Sequence, residues 1–188
     1  MDLVQIVLLA IIIATAAAIY FFFGSFLVGA GYQPTPPRIV RAMLEAAAIR
    51  PGDLVYDLGA GTGALVFPAA VRYHARVVAV EVEPFRLLIL HLRRALSPAR
   101  DRISIRRANL FTVDLTDAQV VVAFLWPAAM QRLRPKLERE LPPGSRVVSY
   151  WHPIPDWDPE RFDRDTQVYL YRISGGRPSG AASSRAAV

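Results

Sequence analysis

The residues whose types and spacing can do chemistry are concentrated between Val55 and Glu81. An apolar run, Val55-Tyr56, leads into Asp57, and glycine then recurs at every second position, Gly59, Gly61 and Gly63. Glycine adopts backbone angles closed to residues with a Cβ and leaves room for a ligand against the main chain, so this is a ligand-binding turn. A second carboxylate, Glu81, ends the next apolar run, Val77 to Val80. An acid placed there, roughly 20 positions beyond the glycine turn, accepts hydrogen bonds from ribose hydroxyls. Glu83 lies on the same alternating face but beyond the expected strand end and just before Pro84, and ranks below Glu81.

Two ligand classes fit the turn. Gly59 to Ala64 satisfies the permissive dinucleotide pattern G-x-G-x-x-A, which keeps a NAD-type binding protein in play. Asp57 separates the two: a carboxylate two residues ahead of the first glycine suits the cationic ammonium and sulfonium end of S-adenosylmethionine. It repels a pyrophosphate, which prefers bare helix N-terminal amides. The loop taken alone leaves the choice near even.

These residues need a scaffold, and the rest of the chain reads as one. Arg38 to Ala48 places Ile39, Val40, Met43, Leu44 and Ala47 at helical spacing before the breaker Pro51-Gly52. Strands are predicted over Leu54–Leu58, Ala75–Val82, Ile103–Arg107, Val120–Leu125, Arg146–Tyr150 and Gln167–Ile173, and helices over Gly63–Tyr73, Pro84–Leu96 and Met130–Leu141. Strands alternating with helices of this length predict an α/β domain with a doubly wound, Rossmann-like parallel sheet over residues 38–173. In such a sheet ligands bind beyond the carboxyl ends of the strands, where strand order reverses. Residues 174–188 are small, polar and carry Gly and Pro, a composition that predicts a disordered tail.

The N-terminus has a different character. No charged residue occurs from Leu3 to Ala30, and about 20 apolar residues suffice to cross a bilayer. The expectation is a single transmembrane helix within residues 1–30, then a Gly/Pro-rich linker over residues 31–37. A cleaved signal peptide needs a basic start and a shorter apolar run. Arg38, Arg41 and Arg50 follow the run and no basic residue precedes it. That asymmetry predicts a single-pass membrane protein with its domain on the cytoplasmic side, or the matrix side in a mitochondrion. The nine residues from Gly29 to Pro37 reach at most about 30 Å, which would hold the domain at the bilayer surface.

Composition narrows the partners. The net charge of +6 comes from 21 Arg and one Lys, Lys136, scattered without a dense basic and aromatic cluster, so no nucleic-acid partner is expected. The three histidines are dispersed and cysteine is absent, so no metal site is expected.

The motifs together resemble a known family. Tyr32-Gln33-Pro34-Thr35-Pro36, Asp57-Leu58-Gly59-Ala60-Gly61-Thr62-Gly63, Asn109-Leu110-Phe111 and the run from Phe124-Leu125-Trp126-Pro127 to Pro153-Ile154-Pro155-Asp156-Trp157 look like the archaeal and mitochondrial protein-lysine N-methyltransferases. Those include the enzymes that act on the ATP synthase c-subunit and the adenine nucleotide translocase. The resemblance covers roughly Tyr32 to Ile173, and its later stretch is the more specific part. It implies a class I methyltransferase fold with S-adenosylmethionine as cofactor and a protein lysine as acceptor. The short linker after the expected anchor points to an acceptor protein that is itself membrane-embedded or juxtamembrane, with the lipid bilayer a partner through the anchor. The resemblance further implies that Asn109, where the family more often has Asp, accepts from the adenine amine, that Leu110 or Phe111 covers the ring, and that Tyr32 and Thr35 fold over the cofactor. Phe124, Leu125, Trp126 and Pro127 stand where N-methyltransferases place an Asn-Pro-Pro-Tyr-type motif against the acceptor nitrogen. Trp126 would meet the substrate ammonium with its π face, and the backbone carbonyl near Leu125 would orient the amine. The competing readings are packing of Phe124 and Trp126 at a sheet edge, a small-molecule or lipid methyltransferase, and a non-catalytic cofactor-binding scaffold.

Overall fold

The computed structural model describes residues 2–27, 33–174 and 177–178. The chain divides into two compact units, Met1–Gln33 and Pro34–Val188.

In the first unit the backbone is helical over Leu3–Leu27 (α1). Asp2 and Gln5 cap its start reciprocally, Gln5 N–H donating to Asp2 Oδ1 at 2.8 Å and Asp2 N–H to Gln5 Oε1 at 3.1 Å. The described side chains of α1 are Leu3 to Ala16 and Ile19. Among the described residues no helix is long and apolar enough to cross a membrane. The expected transmembrane anchor is corrected on that finding, and with it the single-pass membrane placement, the cytoplasmic or matrix side and the tethering of the domain to a bilayer. Residues 28–30 of the apolar run, and Tyr32 of the linker, lie outside the described residues.

The second unit is built on one sheet. Its strands are β1 (Leu54–Leu58), β2 (Arg76–Glu81), β3 (Ile103–Arg107), β4 (Val120–Ala123), β5 (Arg146–Tyr150), β6 (Arg161–Asp163) and β7 (Val168–Ser174), in the order β3-β2-β1-β4-β5-β7-β6. The first five are parallel, and β7 runs antiparallel to both β5 and β6. A two-residue strand, β8 (Arg177–Pro178), pairs antiparallel with the end of β7, so backbone pairing continues into a segment expected to be disordered. The rest of that tail lies outside the described residues. Strands β1, β2, β4 and β5 are buried at nearly every position because both faces are covered.

One face is covered by α2 (Pro37–Ala46), α3 (Val66–Arg72) and α4 (Pro84–Ala95), the other by α5 (Pro127–Glu140) and the segment around Val113 to Ala118. Helix α2 buries Ile39, Val40, Met43 and Leu44, the stripe its spacing predicts. At the amino-terminal edge of the sheet Arg146 donates to Asp53 Oδ2 at 2.6 Å and to the carbonyls of Ala47 and Ala48. That clamp ties β5 to the end of α2, on the side away from the glycine turn.

Candidate active site

Strand register gathers the predicted site residues along the carboxyl edge of the sheet. Leu58 pairs with Val80 on one side and Ala123 on the other, Glu81 pairs with Arg107, and Ala123 pairs with Ser149. Gly59, Glu81, Asn109, Phe124 and Tyr150 therefore leave five adjacent strands at about the same level. Strand order reverses between β1 and β4, so β1, β2 and β3 supply one half of the crevice and β4 and β5 the other.

Two acids line the first half. The Asp57 side chain is buried, 3% exposed, and its Oδ2 has no hydrogen-bond partner. Burial, and then the negative charge of Glu81, push its carboxyl up to about 7. A buried acid with an open oxygen and a like charge beside it is costly unless a cation completes it. Glu81 is held by main-chain amides, its Oε2 accepting from Gly61 N–H at 2.8 Å and its Oε1 from Val82 and Glu83 N–H at 2.9 and 3.0 Å. Each carboxylate oxygen offers more than one lone pair, so acceptor capacity remains. Glu83 is spent on structure: it caps α4, accepting from Phe85 and Arg86 N–H at 3.0 and 2.7 Å.

The turn between these acids depends on its glycines, with φ of +84° at Gly59, +57° at Gly61 and +88° at Gly63. A Cβ on Gly63 would lie 2.4 Å from Phe67 Cε2 and 2.9 Å from Leu90 Cδ2. Gly63→Ala is therefore expected to destabilise the domain by about 2–4 kcal/mol, from left-handed strain plus overpacking. Denaturant unfolding reads this directly, and a midpoint equal to that of the wild type would refute it.

The β3 side differs from expectation in detail. Asn109 Oδ1 accepts from Phe111 N–H at 3.0 Å and its carbonyl from Thr112 N–H at 2.9 Å, so its amide first shapes its own turn. Leu110 and Phe111 pack partly against the core, and the Arg132 guanidinium stands 4.1 Å from the Phe111 ring centroid. Thr35 is half-buried ahead of α2.

The second half of the crevice is aromatic. Leu125 is buried under the glycine turn, where a Cβ on Gly59 would stand 3.4 Å from its Cδ2. Pro127 opens α5 at a first-turn position and restricts the residue before it, so Trp126 is extended (φ −65°, ψ 155°) and 47% exposed. Phe124 leans on Tyr150 with ring centroids 4.6 Å apart, and Trp126 stacks on His152 at 5.9 Å with planes 29° apart. Tyr150, Trp151 and His152 escape a reading of single positions. The signal for them is an aromatic triplet that begins on the last residue of a buried strand.

The segment after this triplet is clipped to α5. Arg134 bonds Asp156 and the Pro155 carbonyl, Trp157 Nε1 donates to Glu138 at 2.9 Å, and Ile154 N–H donates to Tyr171 Oη at 3.0 Å. The Pro-Ile-Pro-Asp-Trp motif thus fixes the loop that carries His152.

Comparison with known proteins agrees with this geometry. The family model described as ANTKMT methyltransferase domain matches residues 57–161. The chain belongs to the ANTKMT methyltransferase family. A protein-lysine N-methyltransferase of Saccharolobus islandicus is 38% identical over 76% of this chain and 92% of its own length. The mouse adenine nucleotide translocase lysine N-methyltransferase is 33% identical, over 79% of this chain and 65% of that protein. A solved structure from Salinibacter ruber, described as an RNA methyltransferase in complex with S-adenosylhomocysteine, superposes with a TM-score of 0.74 at 35% identity, over 76% of this chain and 95% of that one. The sheet is the Rossmann-like class I methyltransferase fold, and this family member is an S-adenosylmethionine-dependent methyltransferase. The open oxygen of Asp57 and the glycine turn fit a cationic cofactor.

Proposed function

We propose that the enzyme methylates the ε-amine of lysine in a protein, holding its cofactor with Asp57, Gly59, Gly61, Gly63 and Glu81 and its acceptor at the aromatic edge of β4 and β5. The carrying observation is Trp126: large, half-exposed, stacked on His152, and next in the chain to Leu125, which packs under Gly59. Bound S-adenosylmethionine supplies an electrophilic methyl on a sulfonium. The chain's task is to orient the amine, exclude water and favour the neutral nitrogen, since only the free base has a lone pair. An aromatic crevice does the last by desolvating the ammonium form. Trp126 meets the cationic product with its π face, while Asn109, Leu110 and Thr35 line the cofactor side.

The proposed substrate is a membrane or membrane-adjacent protein. Support comes from the mouse relative, named for the adenine nucleotide translocase. Methyl-lysine proteomes of cells with and without the gene test this. Lost marks concentrated in membrane proteins are the expected result, and losses only among soluble proteins would contradict it.

Self-labelling gives a cleaner test in vitro. The sole lysine, Lys136, is 6% exposed and ion-paired with Glu140. Labelled methyl groups should therefore enter lysine peptides with almost no incorporation into the enzyme. Transfer to RNA with none to lysine peptides would overturn the lysine assignment.

A further inference from the structure

We propose that His152 is an acceptor-binding residue, its neutral imidazole accepting a hydrogen bond from the lysine ε-amine while Trp126 turns its π face to the same end of the side chain. This rests on the lysine reading above.

Placement is the first argument. Ser149 is level with Ala123, so the residues that follow β5 face those that follow β4, and the imidazole lies against the Trp126 indole. Chemistry is the second. An amine aligned for attack needs an acceptor for its N–H, and indole and phenyl rings provide none in their plane. His152 is half-exposed at the edge, whereas Tyr150, the other ring there with a lone pair, is buried. Among the described residues no hydrogen bond to either ring nitrogen of His152 is present.

Backbone strain is the third argument. His152 N–H donates to the Tyr150 carbonyl at 2.8 Å, closing a three-residue turn around Trp151, whose φ is +66°. A bulky residue there is a true outlier, of the kind that persists where surrounding structure over-determines it. Two restraints hold it: Trp151 N–H donates to the Gln167 carbonyl at 2.9 Å, and residues 153–157 are clipped to α5. The turn sets the direction of the imidazole.

Protonation then gates the site. The ring against His152 is that of Trp126, from the segment ahead of α5, and its titratable chain neighbour is Tyr150, whose carbonyl accepts from His152 N–H. Desolvation alone lowers the His152 pKa below its usual value, so the ring is neutral at physiological pH. Below that pKa an imidazolium would repel a lysine ammonium and could no longer accept. Lysine leaves its own proton to bulk water on docking, and His152 need not carry it away.

The test is the pH dependence of kcat/KM for a pool of synthetic peptides with one central lysine, at saturating cofactor, in the wild type, His152→Gln and His152→Phe. In the wild type the logarithmic slope should be about 2 below the imidazole pKa and about 1 above it, because imidazole and lysine must both be neutral. Both variants should show a slope of about 1 throughout. At neutral pH His152→Phe should lose roughly tenfold in kcat/KM, the worth of one hydrogen bond, and His152→Gln should recover most of it. S-adenosylhomocysteine affinity should stay within about twofold of wild type in both, since His152 is on the acceptor side. In 15N-histidine spectra of the wild type with S-adenosylhomocysteine, peptide should shift the His152 ring resonances, which are assigned by their loss in His152→Gln.

A steep limb retained in both variants, or ring resonances unmoved by peptide, would overturn the assignment. Should His152→Phe fail to fold, the Gln variant and the spectra decide. A wild type that methylates no lysine peptide would instead overturn the lysine reading and this proposal with it.

Discussion

Asp57→Asn is expected to abolish most cofactor affinity while making the free protein more stable above neutral pH. The wild-type carboxylate is buried, has an open Oδ2 and faces the charge of Glu81. Losing a charge-assisted contact to the cofactor's ammonium costs about 1.5–3 kcal/mol, a roughly 10- to 150-fold weaker complex. Stability moves the other way. The folded-state pKa is raised from 3.8 to about 7, so between those values the native state binds more protons than the unfolded chain. Wild-type stability therefore contains a penalty that is absent below the lower value, grows as pH rises through the window and is complete above about 7. Asn keeps the shape and carries no charge, so its advantage over Asp should be small near pH 4 and reach at most about 4 kcal/mol near pH 8. Thermal melts at both pH values and calorimetric titration with S-adenosylmethionine check the two halves. A stability gap independent of pH would rule out the linkage, and unchanged affinity would remove Asp57 from the cofactor site.

The sequence exposes this half of the site because its chemistry is local: a strand, an acid and three glycines within seven residues. Glu81 is legible for the same reason, at the end of the next apolar run. Glu81 already ranks above Glu83 from the strand end and Pro84, and the fold adds what Glu83 does instead, accepting from Phe85 and Arg86 N–H as the cap of α4. Element starts shifted where backbone chemistry outweighed periodicity. Helix α3 begins at Val66 rather than Gly63 because Gly63 has φ +88°, and α5 begins at Pro127 rather than Met130 because proline suits a first turn. Strand β6 is a three-residue edge strand, Arg-Phe-Asp, with too short a pattern to read.

The acceptor half was legible only on one side. Resemblance marks Phe124 to Pro127, yet what they face depends on the register of Ala123 with Ser149, a pairing between distant segments. No local pattern states that Tyr150 will lean on Phe124 or His152 on Trp126. Asn109 shows the converse: its residue type fits an adenine contact, but its oxygen first serves Phe111 N–H.

Trp126→Ala is expected to lower kcat/KM for lysine peptides by about 30- to 100-fold with S-adenosylhomocysteine affinity unchanged. A desolvated cation–π contact is worth up to about 2 kcal/mol, and loss of acceptor alignment adds to it. Trp126→Phe keeps a π face and should recover most of the activity. The rival is that Trp126 only packs, and truncating a tryptophan that fills a core costs about 3–5 kcal/mol of stability. At 47% exposure Trp126 fills no core; Pro127 keeps its backbone extended and His152 is its ring partner. The two accounts therefore predict opposite patterns. A packing residue would lose stability and keep the activity of whatever remains folded, whereas an acceptor residue keeps its melting temperature within a few degrees and loses turnover. A Trp126→Ala protein that melts much earlier yet methylates normally per folded molecule would return this side chain to the scaffold and leave the β4 edge without its acceptor contact.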